Sequence, residues 1–577
     1  MNNPEPAKLP QKPCHFGVVS YEEIEAPNTE TRHLMFLKTG CREKRTKGLI
    51  GGQMKRLPIF LFIFLLLSMP DLSLAYPLDA YPATGIRRIE AARLAVIGKM
   101  HGRRQPPGAL LPTQFVDLRL LDRPDLELPE PDAEFSAGLL ELLGDKADRY
   151  GVAVLDLSDP DHPRLAEHRA DFRQNVGSVG KIAVALAIFQ ALADLYPDDI
   201  EARIGLLRET VVTADEFIQK DHHEVRIWNP DTGELTVRQL QQGDQGSLWE
   251  YLDWTLSASS NAAASMVMKT AMLLRHFGRE FPVSNDQADR FFQESSRKQL
   301  RELYEQTFLA PLTRNGLDLQ YFRQGSFFTR YGKQHVPTGY NSYGTARELL
   351  RLLLLMEQGR MVDIFSSREI KRLLYMTGRR VRYASSPALG DSAVYFKSGS
   401  LYSCNTEPGF KCKKYHGNVK NYMNSVAIVE TPAGVKRLFY LATLISNVLY
   451  QNSALDHQTL ATNIHRMIEA DHPPQPTPPG QLPPELTFGR NLIGFTDKQE
   501  ERLEIANAQA ALSKLGFDVG KVDGKLGPQT TKAIKTFQKK QAMKVDGKIT
   551  KELLEQLKLT IERLPPADPA QPDRTGE

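Results

Sequence analysis

A run of prolines near the end of the chain limits what this sequence can fold into more than any other feature. Residues 472–484 are dominated by proline, which fixes the backbone angle φ and has no N–H to donate. Such a run forms a stiff, polyproline-like spacer that neither a helix nor a strand continues through. The chain therefore divides into a large part before the run and a small part after it.

Length and composition agree with this division. The chain has 577 residues, too many for one ordinary core, and is 41% hydrophobic and 25% charged. These fractions are typical of globular protein and exclude a wholly disordered chain. The net charge is only +4 at pH 7, and no strongly basic block is present. Composition therefore does not indicate nucleic-acid binding. The mild positive charge permits contact with anionic surfaces such as cell wall.

An export signal is predicted well inside the N-terminal region. Met54-Lys55-Arg56 is followed by the apolar run Leu57–Leu67 and by Ser73-Leu-Ala75, the three parts of a secretory signal peptide. The run is too short to span a bilayer comfortably, and no amphipathic partner pattern favours a buried core helix. We predict a signal peptide over 54–75, a true start at Met54 and a doubtful extension over 1–53. The mature protein is expected to have no membrane span. It is expected in the periplasm, or in the cell wall or outside the cell.

The remainder divides by composition. Residues 76–132 are rich in proline and arginine without sustained periodicity, and are predicted to be an extension or linker. A large domain is predicted over 133–470 and a small one over 496–560. The proline-rich linker covers 471–495, and the last residues, 561–577, are predicted to be a disordered tail.

The pattern of the large domain is that of an α+β fold. Strand-like segments lie at both of its ends, and helical patterns dominate from 181 to about 310. Strands are predicted at 151–156, 393–396, 425–430 and 436–446, and a final amphipathic helix at 453–470. We expect the terminal segments to meet in one sheet.

A serine and a lysine open the first apolar helix of this domain. Ser178 and Lys181 are three residues apart, and therefore share one face of a helix. A desolvated lysine with a lowered pKa can activate a serine hydroxyl as a nucleophile. The pattern alone is weak, because Ser295 and Lys298 repeat it in a charged stretch that is predicted to be a solvated helix.

Two further motifs follow in order. Ser259-Ser260-Asn261 precedes an apolar helical stretch, and Lys397-Ser398-Gly399-Ser400 ends a predicted strand. As an alternative, Ser259, Ser260 and Asn261 are polar helix-cap residues, and Lys397 is a charged residue at the edge of a strand.

Ser-x-x-Lys, Ser-x-Asn and Lys-Ser-Gly, in this order, resemble the signature of the penicillin-recognising serine hydrolases, the class A β-lactamases and penicillin-binding D,D-peptidases. The resemblance covers about 135–470 and implies an antiparallel sheet with a helical domain. It implies an acyl-accepting Ser178, a base in Lys181, a proton relay in Ser259 and an amide-binding Asn261. No metal or organic cofactor is expected.

The third motif would bind substrate. By the same resemblance, Lys397 and Ser398 hold the substrate carboxylate, because an ammonium and a hydroxyl together bind an anion well. Gly399 and Ser400 complete this substrate-binding segment. The backbone N–H groups of Ser178 and Ser400 would form the oxyanion hole.

The sequence departs from the family pattern in three places. Ser260 stands where aspartate is usual, and Ser398 replaces threonine with its hydroxyl kept. The Glu-x-x-Leu-Asn loop that activates the deacylating water in class A β-lactamases is not visible between 262 and 396, although glutamates in 280–305 could substitute. Without that glutamate the acyl-enzyme should form but hydrolyse slowly, which favours a peptidoglycan peptidase, or a weak hydrolase, acting on D-Ala-D-Ala stem peptides or β-lactams. The alternatives are an efficient class A β-lactamase and a non-catalytic peptidoglycan-binding protein with a degenerate hydrolase domain.

The cysteines and histidines do not predict a metal site. Cys404 and Cys412 close a short loop, and in an oxidising compartment they predict a disulfide rather than a metal site. His222 and His223 lack a third partner at ligand spacing and predict a surface loop, as does His416.

The small domain carries a repeated turn. Val522-Asp-Gly524 and Val545-Asp-Gly547 each precede a helical pattern, and a helix over 508–517 comes before them. This arrangement is similar to the three-helix peptidoglycan-binding domain, which implies peptidoglycan as a partner. The alternatives are a helical bundle without a ligand, and turns that serve structure only.

Overall fold

The computed structural model describes most of the large domain and part of the small one. The described residues are 79–100, 105–375, 380–434, 437–473, 505, 508–509, 511–513, 515–520 and 525–562. The predicted extension 1–53, the predicted signal 54–75, most of the linker 471–495, nearly all of the tail 561–577 and the turn at 522–524 lie outside them.

A five-stranded antiparallel sheet forms the centre of the large domain, with strand order β2-β1-β11-β10-β9. Seven residues of β1 pair with β11, from Tyr150↔Ser446 to Asp156↔Tyr440, so the two ends of the domain meet in one sheet, as predicted. The strands are β1 Tyr150–Asp156, β2 Arg164–His168, β3 Val211–Thr213, β4 Glu224–Asn229, β5 Glu234–Gln239, β6 Gln245–Ser247, β7 Phe322–Arg323, β8 Tyr343–Gly344, β9 Ala393–Ser403, β10 Lys420–Thr431 and β11 Leu438–Asn447.

Helices cover both faces of the sheet. The helices of the large domain are α1 Tyr81–Thr84, α2 Arg87–Val96, α3 Ala133–Leu143, α4 Lys181–Leu195, α5 Ile200–Glu209, α6 Leu248–Leu256, α7 Asn261–Phe277, α8 Asn285–Glu294, α9 Arg297–Tyr304, α10 Ala310–Arg314, α11 Arg330–His335, α12 Ala346–Glu357, α13 Ile364–Tyr375 and α14 Ser453–Asp471. The described helices of the small domain include α15 Pro528–Lys540 and α16 Lys551–Glu562.

Alternate side chains of the strands enter two different cores. Val152 and Val154 of β1 pack with α3 and α14, whereas Ala153 and Leu155 pack with the larger helical layer that includes α4, α7 and α12. Because both faces of β1 are covered, all seven of its residues are buried and the strand is a continuous apolar run.

Helix α4 is the centre of the larger core. Twelve of its residues, from Lys181 to Leu192, are buried. Among the described helices, the stretch Gly177–Leu195 is long and apolar enough by length and composition to cross a membrane, and 78% of it is buried inside the protein. A helix that is apolar on all sides removes water from any polar group at its start.

The segment predicted to be an extension is folded against the large domain. Helix α2 is anchored by Arg88, whose guanidinium donates to both carboxylate oxygens of Asp253 on α6. Neighbouring Arg87 bonds Glu250, which also closes the capping box of α6 with Ser247. These ion pairs join residues more than 160 positions apart. Local periodicity in the sequence therefore does not predict them.

One region was not predicted within the stretch 181–310, where helical patterns dominate. Strands β4 and β5 form a hairpin there, and β3 pairs with β6. The hairpin turns at Asn229-Pro-Asp-Thr-Gly233, where Asn229 Oδ1 accepts from the N–H of Asp231 and Gly233 has a φ of 66°. Asn, Pro, Asp and Gly together are a turn signal, and it was readable in the sequence.

The small domain has its own apolar core. Leu512, Ile534, Phe537, Leu553 and Leu557 are buried together, and the helical stretch around 511–513 ends before Gly516, which has a φ of 81°.

Candidate active site

Ser178 lies in a short 3-10 turn directly before α4, and Lys181 is the first residue of α4. Lys181 Nζ donates to Ser178 Oγ at 2.8 Å. Ser178 is half-buried, whereas Lys181 is completely buried. Burial lowers the pKa of Lys181 to about 7, against a partial rise from the Asp221 carboxylate. An amine with this pKa is about half in its neutral, free-base form at pH 7, whereas an ordinary lysine is almost wholly charged there.

The second motif meets Lys181 from the opposite side. Ser259 has a φ of 61°, a left-handed conformation that is uncommon for residues other than glycine. Its carbonyl oxygen accepts from Lys181 Nζ at 2.6 Å, and Asn261 Oδ1 accepts from the same nitrogen at 2.7 Å. The structure therefore brings Ser178, Lys181, Ser259 and Asn261 together.

Ser260 is the N-cap of α7, but it is also part of a network that the sequence did not reveal. Its Oγ donates to Asp221 Oδ2 at 2.9 Å, and the N–H of Ala262 donates to the same oxygen at 2.8 Å. Burial acts to raise the pKa of Asp221, but the hydrogen bond from His223 and that N–H hold it well below its usual range. Asp221 thus places a carboxylate beside Ser260, the position where the family pattern has aspartate.

His223 is half-buried and its Nδ1 lies 2.6 Å from Asp221 Oδ1, whereas His222 is exposed and stacks on it. The possible ligand atoms of Asp221, His222 and His223 lie within 4.8 Å of one another, so this group could hold a metal ion by proximity. Both oxygens of Asp221 already accept hydrogen bonds within the protein. The prediction of a plain surface loop missed this contact.

The third motif lies on β9, an edge strand of the sheet. Lys397 is nevertheless buried, and its Nζ donates to Ser259 Oγ at 2.8 Å and to the carbonyl of Ser398 at 3.0 Å. Burial, together with the positive charges of Lys181 and Arg382, lowers the pKa of Lys397 well below its usual value. A chain of hydrogen bonds therefore runs from Ser178 through Lys181 and the Ser259 residue to Lys397.

Two glycines let β9 lie directly against the nucleophile. A Cβ on Gly399 would lie 2.0 Å from Val176 O and 2.6 Å from Ser178 N, and one on Gly177 would lie 3.2 Å from Ser400 N. Gly177 also has a φ of 53°. Only glycine permits this approach, which places the backbone of β9 against the backbone at Ser178. These are the two segments whose N–H groups, those of Ser178 and Ser400, are predicted to form the oxyanion hole.

Arg382 is a further site residue that sequence reasoning missed. Its guanidinium donates to Ser398 Oγ and to Ser400 Oγ, the latter at 3.1 Å. It lies in a 3-10 turn before β9 with a φ of 55°. An arginine here adds a fixed positive charge to the predicted carboxylate-binding segment.

Two of the glutamates in 280–305 that could supply a deacylating base have other partners. Of the acidic groups in 280–305, Glu302 pairs with Lys298 and Glu305 accepts from Tyr340. Among the described residues, no carboxylate is hydrogen-bonded to Ser178 or Lys181. Lys181 Nζ instead lies 4.7 Å from the centre of the Phe328 ring.

The predicted disulfide is present. Cys404 and Cys412 are bonded, with a Cα–Cα distance of 6.0 Å, and they close a loop that follows β9.

Comparison with known proteins agrees with this geometry. Residues 134–454 match the "Beta-lactamase enzyme family", and the chain belongs to that family. Residues 501–557 match the "Putative peptidoglycan binding domain". The predicted class, a serine hydrolase with a β-lactamase-like fold and a helical peptidoglycan-binding domain, is confirmed. A comparison with curated proteins found no match.

Solved structures with similar folds include PBP-A, at 14% identity over 60% of this chain and 99% of that one, with a TM-score of 0.38. A β-lactamase from Chitinophaga pinensis DSM 2588 has 15% identity over 59% and 99%, with a TM-score of 0.37. The TLA-1 extended-spectrum β-lactamase has 14% identity over 59% and 99%, with a TM-score of 0.38.

Proposed function

We propose that the protein is an exported serine acyl hydrolase that forms an acyl-enzyme at Ser178 with D-alanyl-D-alanine peptides and with β-lactams. In this proposal its C-terminal domain anchors it to the peptidoglycan of the cell wall. The observation that carries the proposal is the buried Lys181 amine, which has a pKa of about 7 and lies 2.8 Å from Ser178 Oγ.

The acylation step follows from these contacts. Neutral Lys181 takes the proton of Ser178, whose Oγ then attacks the carbonyl carbon of the scissile amide. The N–H groups of Ser178 and Ser400 stabilise the oxyanion. Ser259, whose Oγ accepts from Lys397 Nζ at 2.8 Å, gives its hydroxyl proton to the leaving nitrogen as the C–N bond breaks. The proton that Lys181 took from Ser178 replaces it, so that both groups return to their starting forms. Lys397, Ser398 and Arg382 hold the substrate carboxylate.

We expect deacylation to be slow, which favours a peptidase over an efficient β-lactamase. Hydrolysis of the acyl-enzyme needs a base that activates water. Asp221 is the carboxylate that acts on Lys181 electrostatically, but its lowered pKa makes it a weak base. No carboxylate among the described residues, Asp221 included, is hydrogen-bonded to Ser178 or Lys181.

Export is supported by two independent features. The basic and apolar stretch at 54–75 has the parts of a secretory signal. The Cys404–Cys412 disulfide fits an oxidising compartment, because cytosolic thiols are kept reduced.

Time-resolved intact mass of the purified protein with benzylpenicillin tests the proposal, with Ser178→Ala as the control. We expect an adduct of the penicillin mass that persists and is missing from Ser178→Ala. Rapid loss of penicillin without a lasting adduct would identify an efficient β-lactamase instead. Neither adduct nor turnover would contradict acyl transfer at Ser178.

A further inference from the structure

A cavity beside the central sheet is not used by the proposed mechanism. It has a volume of about 670 Å³, within the range of small-molecule sites in proteins. Its walls come from the start of α3, from β2, from the turn over 169–172 and from the first turn of α12. We call this cavity the edge pocket, and its polar and aromatic lining residues are Ser136, Glu167, Arg169, Asp171, Phe172 and Arg347.

The edge pocket and the nucleophile belong to opposite edges of the sheet. Glu167 lies on β2, whereas the backbone at Ser178 lies against Gly399 of β9. Strands β2 and β9 are the two edge strands, and four spacings between neighbouring strands amount to about 19 Å. The edge pocket is therefore a separate site, and not a part of the substrate-binding segment on β9.

Glu167 has a buried oxygen without a partner. Its side chain is 6% exposed, and its Oε2 accepts from Arg347. Among the described residues, none donates a hydrogen bond to the other oxygen, Oε1, although that atom is buried. Burial raises the pKa of Glu167 to about 7, against a partial lowering by Arg347. Because a buried acceptor without a donor is unfavourable, a ligand that brings an O–H or N–H donor would stabilise this group.

The charges that line the edge pocket are balanced and already paired. Arg347 bonds Glu167, and its Nε lies 3.6 Å from Asp171 Oδ1. The fourth charged group, the Arg169 guanidinium, donates to the carbonyl of Asp148. An ammonium ligand would be repelled by Arg347, and a carboxylate ligand by Glu167 and Asp171. This arrangement therefore favours an uncharged ligand.

An aromatic ring lies at the rim of the edge pocket. Phe172 is 39% exposed, and its ring centre lies 5.0 Å from the Arg169 guanidinium carbon. The N–H of Phe172 donates to the carbonyl of Arg169 at 3.0 Å, and the N–H of Arg347 donates to the carbonyl of Ala170 at 3.0 Å. The turn is thus tied to α12. A flat exposed ring offers its apolar surface to the C–H face of another ring.

We propose that the edge pocket binds an uncharged sugar of a glycan chain, of the N-acetylhexosamine class. Such a sugar has hydroxyl and amide donors for Glu167 Oε1, an apolar C–H face for the Phe172 ring, and no charge. This inference goes beyond the proposed acyl transfer at Ser178 and does not depend on it. The catalytic domain would then contact glycan itself, in addition to the proposed anchoring by the small domain.

The test measures binding of chitotetraose, the soluble β-1,4-linked tetramer of N-acetylglucosamine, to the full chain by saturation-transfer NMR titration. The first variant is Phe172→Ala. Its matched control is Tyr450→Ala, which removes another aromatic residue that is 50% exposed and lies next to α14. Phe172→Trp keeps a ring at the rim, and Glu167→Ala removes the unpartnered acceptor. The small domain is present in every protein, so differences between the proteins report the edge pocket.

We expect a dissociation constant on the order of 1 mM at the edge pocket, because few contacts stabilise the complex. Binding this weak would not hold the protein on sacculi during washing. Phe172→Ala should weaken the binding at least about fivefold, because the ring contact is lost. Glu167→Ala should weaken it as well, with circular dichroism as a check of the fold. Phe172→Trp and Tyr450→Ala should bind like the unmodified protein.

Two results would overturn the inference. One is an equal titration curve for the unmodified protein and Phe172→Ala, which decides the question even if Glu167→Ala does not fold. The other is displacement of chitotetraose by lysine amide that is lost in Glu167→Ala, since the pocket would then be a site for cations. Acylation by benzylpenicillin should agree within about twofold in all folded variants. Absence of any penicillin adduct in the unmodified protein would refute acyl transfer at Ser178 and leave sugar binding unaffected.

Discussion

The hydrogen bonds around Lys181 direct its lone pair toward Ser178 once the ammonium group has lost one proton. Its Nζ is surrounded by Ser178 Oγ, the carbonyl of Ser259 and Asn261 Oδ1. A charged ammonium donates to all three. A neutral amine has two N–H donors, which the two fixed oxygens of Ser259 and Asn261 can occupy. The lone pair then faces Ser178, whose hydroxyl becomes the donor, and this is the geometry of proton abstraction.

The rate of acylation should therefore rise with pH through the pKa of Lys181. With a pKa of about 7, the neutral fraction is about a tenth at pH 6 and about nine tenths at pH 8. We expect the second-order rate of benzylpenicillin acylation to increase about tenfold between these values. Stopped-flow or quenched intact mass measures it, and circular dichroism at each pH checks that the fold is unchanged. A flat profile would exclude Lys181 as the base.

Asp221 also affects the pH at which Lys181 loses its proton. Its negative charge favours the ammonium form of Lys181 and so raises the pKa of that lysine. In Asp221→Asn the charge is lost while an oxygen remains for Ser260 and Ala262, so the midpoint of the acylation profile should move below 7. The exposed Asp286→Asn on α8 is the matched control and should leave the midpoint in place. A lower rate without a shifted midpoint would indicate that Asp221 has only a structural role.

At the scale of single residues, the sequence predicted the residues of the three motifs but not the residues hydrogen-bonded to them. Ser178 and Lys181 are three positions apart, and helical spacing alone places them together. Asp221 is 39 positions from Ser260, and Arg382 is 16 positions from Ser398 on a different element. No local periodicity connects such residues, so tertiary structure is needed to find them.

At the scale of elements, the segment before the catalytic domain is held by a buried ion pair. Arg88 and Asp253 are 2% and 0% exposed. Arg88→Met leaves the Asp253 carboxylate buried without this partner, which typically costs about 3–5 kcal/mol. We expect the free energy of unfolding in urea to fall by this order.

The control for this prediction lies on the same helix. Arg93 pairs with Glu90 at 2.7 Å, but both side chains are partly exposed, and exposed pairs contribute about 0–1 kcal/mol. Arg93→Met should therefore change stability little. Equal losses in the two variants would show that the helix α2 itself, rather than the buried charge pair, determines the effect.

The prediction of elements succeeded where apolar patterns are continuous. Four strands of the sheet (β1, β9, β10 and β11) and the apolar helix α4 were predicted, because burial on both sides leaves an uninterrupted apolar run. Strand β2, which is only partly buried, was not predicted. The segment 79–100 has no such run, and long-range ion pairs fix it instead. The β4–β5 hairpin was missed because its strands expose polar residues, although its turn was recognisable.

At the scale of the whole molecule, the described Val-Asp-Gly turn of the small domain is held by hydrogen bonds within that domain. Asp546 Oδ1 accepts from Gln538 Nε2 at 2.9 Å and from the N–H of Lys548 at 3.0 Å. Gln538 Oε1 in turn accepts from the N–H of Gly547 at 2.9 Å. These bonds are internal to the turn and α15, so the described Val-Asp-Gly repeat has a structural role. Peptidoglycan contacts are therefore expected at other residues of the domain.

Wall binding and catalysis should then be separable. The small domain's apolar core, which includes Leu512, Phe537 and Leu557, contains no residue of the two cores around the sheet. Deleting 497–560 should therefore abolish pull-down with purified sacculi and leave the rate of penicillin acylation within about twofold, since independent cores tolerate separation. Ser178→Ala is the reciprocal control, because it should bind sacculi normally and form no adduct. If the deletion variant still binds sacculi, the anchor is the catalytic domain. If it loses acylation together with a folded circular dichroism spectrum, the two parts stabilise one another and the linker does not divide the molecule.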